Sequence, residues 1–180
     1  MRYLSLVTVT LGLAISPVLL AQTLPYPANS TFFTGDPPSL VSADTLDTLV
    51  GWPYPHYYFT FKIPATSPQS VGQISVTPDA NGDPIAFDLS KTVAFTGTSR
   101  NRGQAIPLKS AVQDPKTRVI SIAFANPVPP NTTFTVSLQP YNNPGMAGTY
   151  LFQVQVYPAG PNPIALDLGV GSFSFYQPMR

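Results

Sequence analysis

Short stretches in which every second residue is apolar recur along the chain. Residues 57–63 show the pattern most clearly, with apolar side chains at Tyr57, Phe59, Phe61 and Ile63. A period of two is typical of a β-strand with one buried face. The same alternation predicts strands at 120–124, 133–138, 150–156 and 173–175 and, more weakly, at 72–77, 85–89, 93–96 and 105–112.

Turn-forming residues lie between these stretches. Asn81-Gly82 separates 72–77 from 85–89 and is a strong signal for a short hairpin. Prolines gather at 127–130 and 158–163, as expected at strand ends and loops, because proline has no N–H to donate within a sheet. The pattern predicts an all-β, antiparallel two-sheet β-sandwich of the immunoglobulin-like kind, with about seven to nine strands. A barrel is the alternative.

The N-terminal residues have the layout of a secretory signal peptide. Arg2 precedes an uncharged apolar run at 4–20, and Ala21 is a small residue suited to the cleavage site. The alternative, an uncleaved membrane anchor, would be interrupted by Pro17. We therefore expect a signal peptide at 1–21 and no membrane span after its cleavage. An irregular Pro-rich lead-in follows at 22–55, with one short strand near 40–43, and packs on a single sandwich domain at 56–180.

The composition excludes several classes of chemistry. The chain has 22 Pro, no Cys and one His, and all eight of its acidic residues are Asp. Disulfides, thiol nucleophiles, thiolate zinc sites and multi-histidine metal sites are therefore absent. A net charge of +1 with no basic run argues against nucleic acid as a partner.

One aromatic cluster is a candidate binding site. Trp52, Tyr54, His56 and Tyr58 lie close together in sequence and include the only Trp and the only His. Exposed rings of this kind stack on sugars, and their polar edges bond hydroxyl groups. The alternative is that the rings are buried and cover a sheet edge. A general-base role for His56 would require a nucleophile, and the sequence contains no G-x-S-x-G nucleophile motif.

Arg100 and Arg102 are a second candidate site. Two arginines in one loop are able to clamp a phosphate or carboxylate with paired hydrogen bonds. The alternative is a solvated loop that keeps the protein soluble.

Asp79, Asn81 and Asp83 are a weak candidate for a Ca²⁺ site, and no other cofactor is indicated. Their oxygen side chains match positions 1, 3 and 5 of a calcium loop. Pro84 and Ser90 then stand where that loop needs Gly and Glu. The alternative is a turn stabilised by local side-chain hydrogen bonds.

Several segments together resemble the exported cyanobacterial proteins grouped as "domain of unknown function 2808". The resemblance covers about 30–176 and rests on the order of the following segments: 57–59 leading to Pro64, 85–88, 94–97, 127–130 with 133–138, 143–144 with 148–152, 157–160 and 168–169. Asn131 departs from the Gly expected after the double proline. The resemblance implies an extracytoplasmic location (periplasm, thylakoid lumen or secreted) and no assigned catalytic residues.

Two functions from different classes fit these observations. The first is a non-catalytic envelope protein that acts on a protein partner or assembly, with apolar edge strands able to accept a partner strand. The alternative is a carbohydrate-binding module for neutral polysaccharide, based on the aromatic cluster and the low charge. A third hypothesis, a hydrolase, requires two Asp carboxylates close together in a cleft. The expectation is that the protein is not an enzyme.

Overall fold

Ten β-strands form in the part of the chain that the computed structural model describes, residues 26–79 and 83–178. A 3₁₀ turn, Leu89–Lys91, lies between β3 and β4. The strands are β1 (Ser39–Asp44), β2 (Tyr57–Ile63), β3 (Val71–Pro78), β4 (Val93–Thr98), β5 (Asn101–Ile106), β6 (Leu108–Gln113), β7 (Ile120–Val128), β8 (Thr132–Leu138), β9 (Gly148–Pro158) and β10 (Leu166–Phe175).

The described strands form two five-stranded antiparallel sheets. The first has the order β1-β2-β8-β4-β5 and the second the order β10-β9-β3-β7-β6. Because the two ladders are separate, the sandwich prediction is confirmed and the barrel alternative is wrong. Ten strands replace the seven to nine expected.

The core lies between the sheets and is rich in aromatic rings. Tyr57, Phe59 and Phe61 point into it from β2, and Phe152 and Phe173 point into it from β9 and β10. Tyr57 stacks on Phe173 with ring centroids 4.6 Å apart, and Phe59 meets Phe173 edge-on at 5.4 Å. Each fully buried ring contributes roughly 1.5–3 kcal/mol by area, and paired rings add about 0.5–1.5 kcal/mol.

Two predictions around the Asn-Gly turn are wrong. The predicted strand at 85–89 is replaced by one isolated bridge, between Phe87 and Pro140, and by the 3₁₀ turn. The Asp88 carboxylate accepts from the Ser90 backbone N–H and caps that turn, which diverts the chain from an extended course. The predicted hairpin between 72–77 and 85–89 does not form, because β3 pairs with β7 and β9 and Phe87 pairs with Pro140; Asn81 and Gly82 lie outside the described residues.

Two other strands differ in extent from the prediction. The single strand expected at 105–112 is divided at Pro107, and the chain passes there from one sheet to the other. The last strand begins at Leu166 rather than at Phe173. Its first half was missed because Gly169 and Gly171 interrupt the apolar alternation.

The two sides of the sandwich differ. On one side β1 and β10 approach so closely that a Cβ on Gly171 would lie 2.6 Å from the Cβ of Ala43. On the other side β5 and β6 are exposed edge strands. Pro107, the exposed Lys109 and a bulge between Leu108 and Ser110 interrupt this edge. These are the features by which natural sheets resist strand addition.

The predicted signal peptide, residues 1–21, lies outside the described residues, and export stays a prediction. The predicted lead-in contains β1, and the described part of it packs through Phe33, Leu40 and Ala43 against the core. Within 26–79 and 83–178 no helix has the length and apolar character needed to cross a membrane.

Candidate functional site

Two loops meet at one end of the sandwich, where β2 and β4 begin and β8 and β10 end. These are the β1–β2 loop (45–56) and the β8–β9 loop (139–147). Backbone hydrogen bonds join them, from Tyr54 N to Tyr141 O (2.8 Å) and from Asn143 N to Trp52 O (2.8 Å). The end of β10 joins the same network through Tyr176 N to Thr48 O (2.8 Å). The β1–β2 loop is therefore held in one conformation along much of its length.

Asn143 is the residue that fixes this loop on the core. Its side chain is 4% exposed. Its Nδ2 donates to the carbonyl oxygens of Asp47 (2.7 Å) and Leu49 (2.8 Å), and its Oδ1 accepts from the Tyr57 hydroxyl (2.9 Å). Burial of that hydroxyl raises the pKa of Tyr57, so it remains a donor. The amide bonds the Asp47 carbonyl and is a second donor to the Leu49 carbonyl, which also accepts from the Trp52 backbone N–H (3.3 Å).

The same two loops and the residue after β10 present four exposed aromatic side chains, which we call the aromatic surface. Their exposed fractions are large for rings of this size: Trp52 45%, Tyr54 64%, Tyr141 47% and Tyr176 59%. Exposed rings grouped on a rigid backbone are typical of a binding surface. In the β1–β2 loop only Asp47 and His56 are able to carry a charge near neutral pH, and residues 139–147 contain no Asp, Glu, Lys, Arg or His. The surface is thus suited to an uncharged ligand.

His56, Tyr58 and Arg102 form a separate cluster on the outer face of the first sheet. Arg102 Nη2 donates to the Tyr58 hydroxyl (2.7 Å), and its guanidinium lies over the rings of Tyr58 (5.3 Å) and Phe95 (4.9 Å). The His56 ring stacks on Tyr58 with centroids 5.9 Å apart. Arg102 therefore directs two of its N–H donors, to the Tyr58 hydroxyl and the Ser99 carbonyl, and its charged face toward groups of the protein itself.

The β4–β5 hairpin brings Arg102 to that face. At the Gly97 bulge the hairpin bends over the sheet, where Gly97 O accepts from the Thr135 hydroxyl (2.7 Å). At its turn Ser99 Oγ donates to the carboxylate of Asp44, on the opposite edge strand (3.1 Å). Because the β4–β5 hairpin covers the outer face of the first sheet, Thr60 and Thr135 are buried although they lie on that face. Arg100, the other arginine of the predicted pair, is exposed.

His56 contacts a hydroxyl, but the arrangement does not fit a nucleophile and its base. His56 Nδ1 lies 3.2 Å from Ser137 Oγ, yet Ser137 is 1% exposed, so its hydroxyl cannot reach a substrate. Partial burial is the main reason that the pKa of His56 is lowered. The nearby Arg102 adds to this, and Asp47 opposes it.

The weak Ca²⁺ candidate has only two of its residues in the described part of the chain. Asp79 and Asp83 line one cavity of about 200 Å³ with Tyr150, while Asn81 lies outside the described residues. The pKa of Tyr150 is raised by burial and then by Asp83. Among the described residues no three acidic or histidine side chains are grouped to hold a metal ion.

The predicted binding residues, apart from the exposed Arg100, thus divide between two places, and the described Ca²⁺ candidates lie in a third. Trp52 and Tyr54 belong to the aromatic surface, and His56, Tyr58 and Arg102 belong to the cluster on the outer face of the first sheet. Three residues were missed: Tyr141, Tyr176 and the buried Asn143. Tyr141 is preceded by Pro140 and lies outside the alternating stretches, so only contact with the distant β1–β2 loop marks it.

The sequence profile of the family described as "Protein of unknown function (DUF2808)" matches residues 30–175, and the chain belongs to this family. No curated protein matches the chain. The description of the family assigns it no function.

Solved structures with a similar fold have low sequence identity. BslA, "a bacterial hydrophobin", is 15% identical, with 81% of this chain and 98% of that chain covered and a TM-score of 0.45. An uncharacterized Nocardia farcinica protein with an immunoglobulin-like fold is 13% identical (76% and 97% covered, TM-score 0.42). The collagen-binding domain of a Staphylococcus aureus adhesin is 11% identical (69% and 89% covered, TM-score 0.37). At these identities the likeness concerns the fold alone.

Proposed function

We propose that this chain is an exported, non-catalytic binding domain that recognises neutral polysaccharide through its aromatic surface. The observation that carries the proposal is the exposure of Trp52, Tyr54, Tyr141 and Tyr176 on loops joined by backbone hydrogen bonds. Tyr and Trp rings present an apolar face to the C–H groups of a sugar and a polar edge to its hydroxyls. The signal-like pattern at 1–21 supports export, which would bring the domain to envelope polysaccharide.

Rigidity of the surface supports the same function. The Tyr54 N–H bonds Tyr141 O, and the Val50 N–H bonds Tyr176 O (3.0 Å), so rings from three parts of the chain are held on one framework. A ligand that binds a preorganised surface loses less conformational entropy to loop ordering. This smaller loss of entropy matters most where, as for uncharged sugars, each individual contact is weak.

A protein partner that adds a strand fits the structure less well. The exposed edge at β5 and β6 contains Pro107, Lys109 and a bulge, which hinder backbone pairing with another chain. The first sheet's other edge, β1, lies against β10. The aromatic surface is therefore the better candidate for recognition.

Binding to immobilised and soluble glycans tests the proposal. The mature chain would be run by affinity electrophoresis in gels containing xylan, mannan or mixed-linkage glucan, and mixed with insoluble cellulose and chitin. We expect retention by at least one of these glycans and a loss of about tenfold in affinity for Trp52→Ala and for Tyr54→Ala, roughly 1.4 kcal/mol each.

Tyr26→Ala is the matched control. The exposed fraction of Tyr26 is 46%, nearly the same as the 45% of Trp52. Tyr26, however, packs against Phe32, next to the Thr31–Pro163 bridge, at the end of the sandwich opposite to the aromatic surface. Its replacement should leave binding unchanged. The proposal is wrong if no glycan retains the protein, or if folded Trp52→Ala and Tyr26→Ala bind alike.

A further inference from the structure

Three cavities lie in a row at the end of the sandwich that bears the aromatic surface. The outer cavity, about 460 Å³, shares Pro78, Asp79 and Leu151 with the middle cavity of about 200 Å³. The middle cavity shares Asp83 and Ile85 with a loop cavity of about 250 Å³. We call the three together the groove.

The groove reaches the aromatic surface. Tyr141 lines the loop cavity and belongs to the aromatic surface, and its neighbour Asn142 lines the same cavity and pairs with Pro53. A chain of sugars bound at the rings could therefore continue into the groove without leaving the protein.

The outer cavity combines an apolar floor with fixed polar groups. Leu151 and Val170 line it and are 42% and 55% exposed. Arg118 Nη2 donates to Asp79 O (2.8 Å), and Gln153 Nε2 donates to Asp167 Oδ2 (2.5 Å), so both polar side chains are held in place. Apolar contact with a few oriented hydrogen-bonding groups is typical of small-molecule sites and fits one face and the rim hydroxyls of a sugar ring.

The turn between β6 and β7 holds Arg118 at the outer cavity. The Asp114 carboxylate accepts from the backbone N–H groups of Lys116 and Thr117, both at 2.8 Å, and these bonds lower its pKa. Arg118 has a φ of +61°, a conformation that costs a non-glycine residue about 1–2 kcal/mol. Strain of this kind persists where the surrounding structure enforces it.

We infer that the groove continues the binding site, so that the polysaccharide binds as an extended chain from the aromatic surface to the outer cavity. The inference rests on the proposed function and adds the mode of binding to it, namely recognition along the chain rather than of a chain end or a single sugar. Affinity should therefore grow with the number of sugar units until the groove is filled.

A length series of oligosaccharides tests this inference. Calorimetry would compare cello-, xylo- and manno-oligosaccharides of two to eight units on the mature chain. We expect at least one series to gain tenfold or more in affinity between the short and the long members. Arg118→Gly and Val170→Ser should lose this gain while binding of the short members is unchanged. Glycine suits the positive φ at 118, and Val170 is a surface residue, so both variants should fold.

Val41→Ser is the control, because Val41 is also 55% exposed on a strand but lies in the first sheet, on β1. It should keep the dependence on length. If short and long members bind equally and binding depends on Trp52, the inference is overturned and the proposed function stands. If the two groove variants keep the full gain, the inference is also overturned. If no member of any series binds and no glycan retains the protein, both fail.

Discussion

The Tyr57 hydroxyl, inside the core, donates a 2.9 Å hydrogen bond to Oδ1 of Asn143, which holds the β1–β2 loop. Tyr57 also stacks on Phe173 of the opposite sheet. One side chain thus joins both sheets to the aromatic surface, and the stability of the core and the shape of that surface depend on each other.

Replacing Asn143 should destabilise the protein strongly. Asn143→Ala leaves the Tyr57 hydroxyl and the Asp47 carbonyl without their side-chain partner and removes one of the two donors to the Leu49 carbonyl. Since an unsatisfied buried polar group costs about 1–3 kcal/mol, we expect a loss of about 3 kcal/mol in the free energy of unfolding. Urea denaturation measures it. The exposed neighbour serves as control, and Asn142→Ala should change stability by less than about 0.5 kcal/mol. Equal stability of the two variants would contradict the role given to the amide.

Acidification should destabilise the protein through His56. Burial lowers the pKa of His56 in the folded protein from its ordinary 6.5, so the unfolded chain takes up the proton first. The stabilising contribution is complete above pH 6.5 and is lost as the pH falls through the lowered pKa. Thermal unfolding between pH 8 and pH 5 measures the slope. His56→Gln, which cannot titrate, should flatten it, and an unchanged slope would assign the effect to other groups.

Gly97 should tolerate no side chain. Its φ is +89°, and a Cβ would lie 2.2 Å from the Asn101 carbonyl oxygen. Gly169 is the matched control, because it has a φ of +91° at a bulge on β10 but open space around its Cβ position. Gly169→Ala should cost about 1 kcal/mol from the backbone conformation alone. Gly97→Ala should cost roughly 2–4 kcal/mol, because steric overlap adds to it. Chemical denaturation of both variants gives the difference in the free energy of unfolding. Similar losses would mean that the β4–β5 hairpin shifts to accommodate the added Cβ at little cost.

The two arginines of the β4–β5 hairpin, Arg100 in its turn and Arg102 on β5, should differ in their effect on stability. Arg102→Lys loses the hydrogen bond to Tyr58 and weakens the contacts with two rings, at a cost of about 1–2 kcal/mol. Arg100→Lys changes an exposed side chain and should be neutral within about 0.5 kcal/mol. Thermal denaturation of both variants at two salt concentrations measures the loss of stability. Salt should screen the effect of an exposed charge more than that of the Arg102 contacts with Tyr58 and Phe95. A neutral Arg102→Lys would show that the hairpin is held by Ser99 and Gly97 instead.

The sequence could predict the inner faces of the sandwich because their periodicity is local. Tyr57 to Ile63 alternates strictly, and all four apolar side chains of that stretch are buried. The outer face follows no such rule. The alternation predicts only that Phe95 lies in a strand, and the sequence places Tyr58 in the aromatic cluster. In the structure the guanidinium of Arg102 lies over both rings, because the β4–β5 hairpin bends at Gly97. Long-range cover of this kind leaves no periodic signal.

The site was predictable in part for the same reason. Trp52 and Tyr54 stand together in sequence, so their grouping was visible, and both are exposed. Asn143 precedes Pro144 and resembles an ordinary turn residue. Its role becomes evident only when the carbonyls of Asp47 and Leu49, far away in sequence, lie within reach of its amide.

The hydrogen bonds between the β1–β2 loop and Tyr176 have a consequence for how the surface forms. Thr48 and Val50 bond to the backbone of Tyr176, so these bonds require strands from both ends of the domain to be packed together. Domains rich in contacts between residues so distant in sequence fold slowly. The complete aromatic surface therefore requires both ends of the domain to be folded together, and binding by the proposed site would report on complete folding.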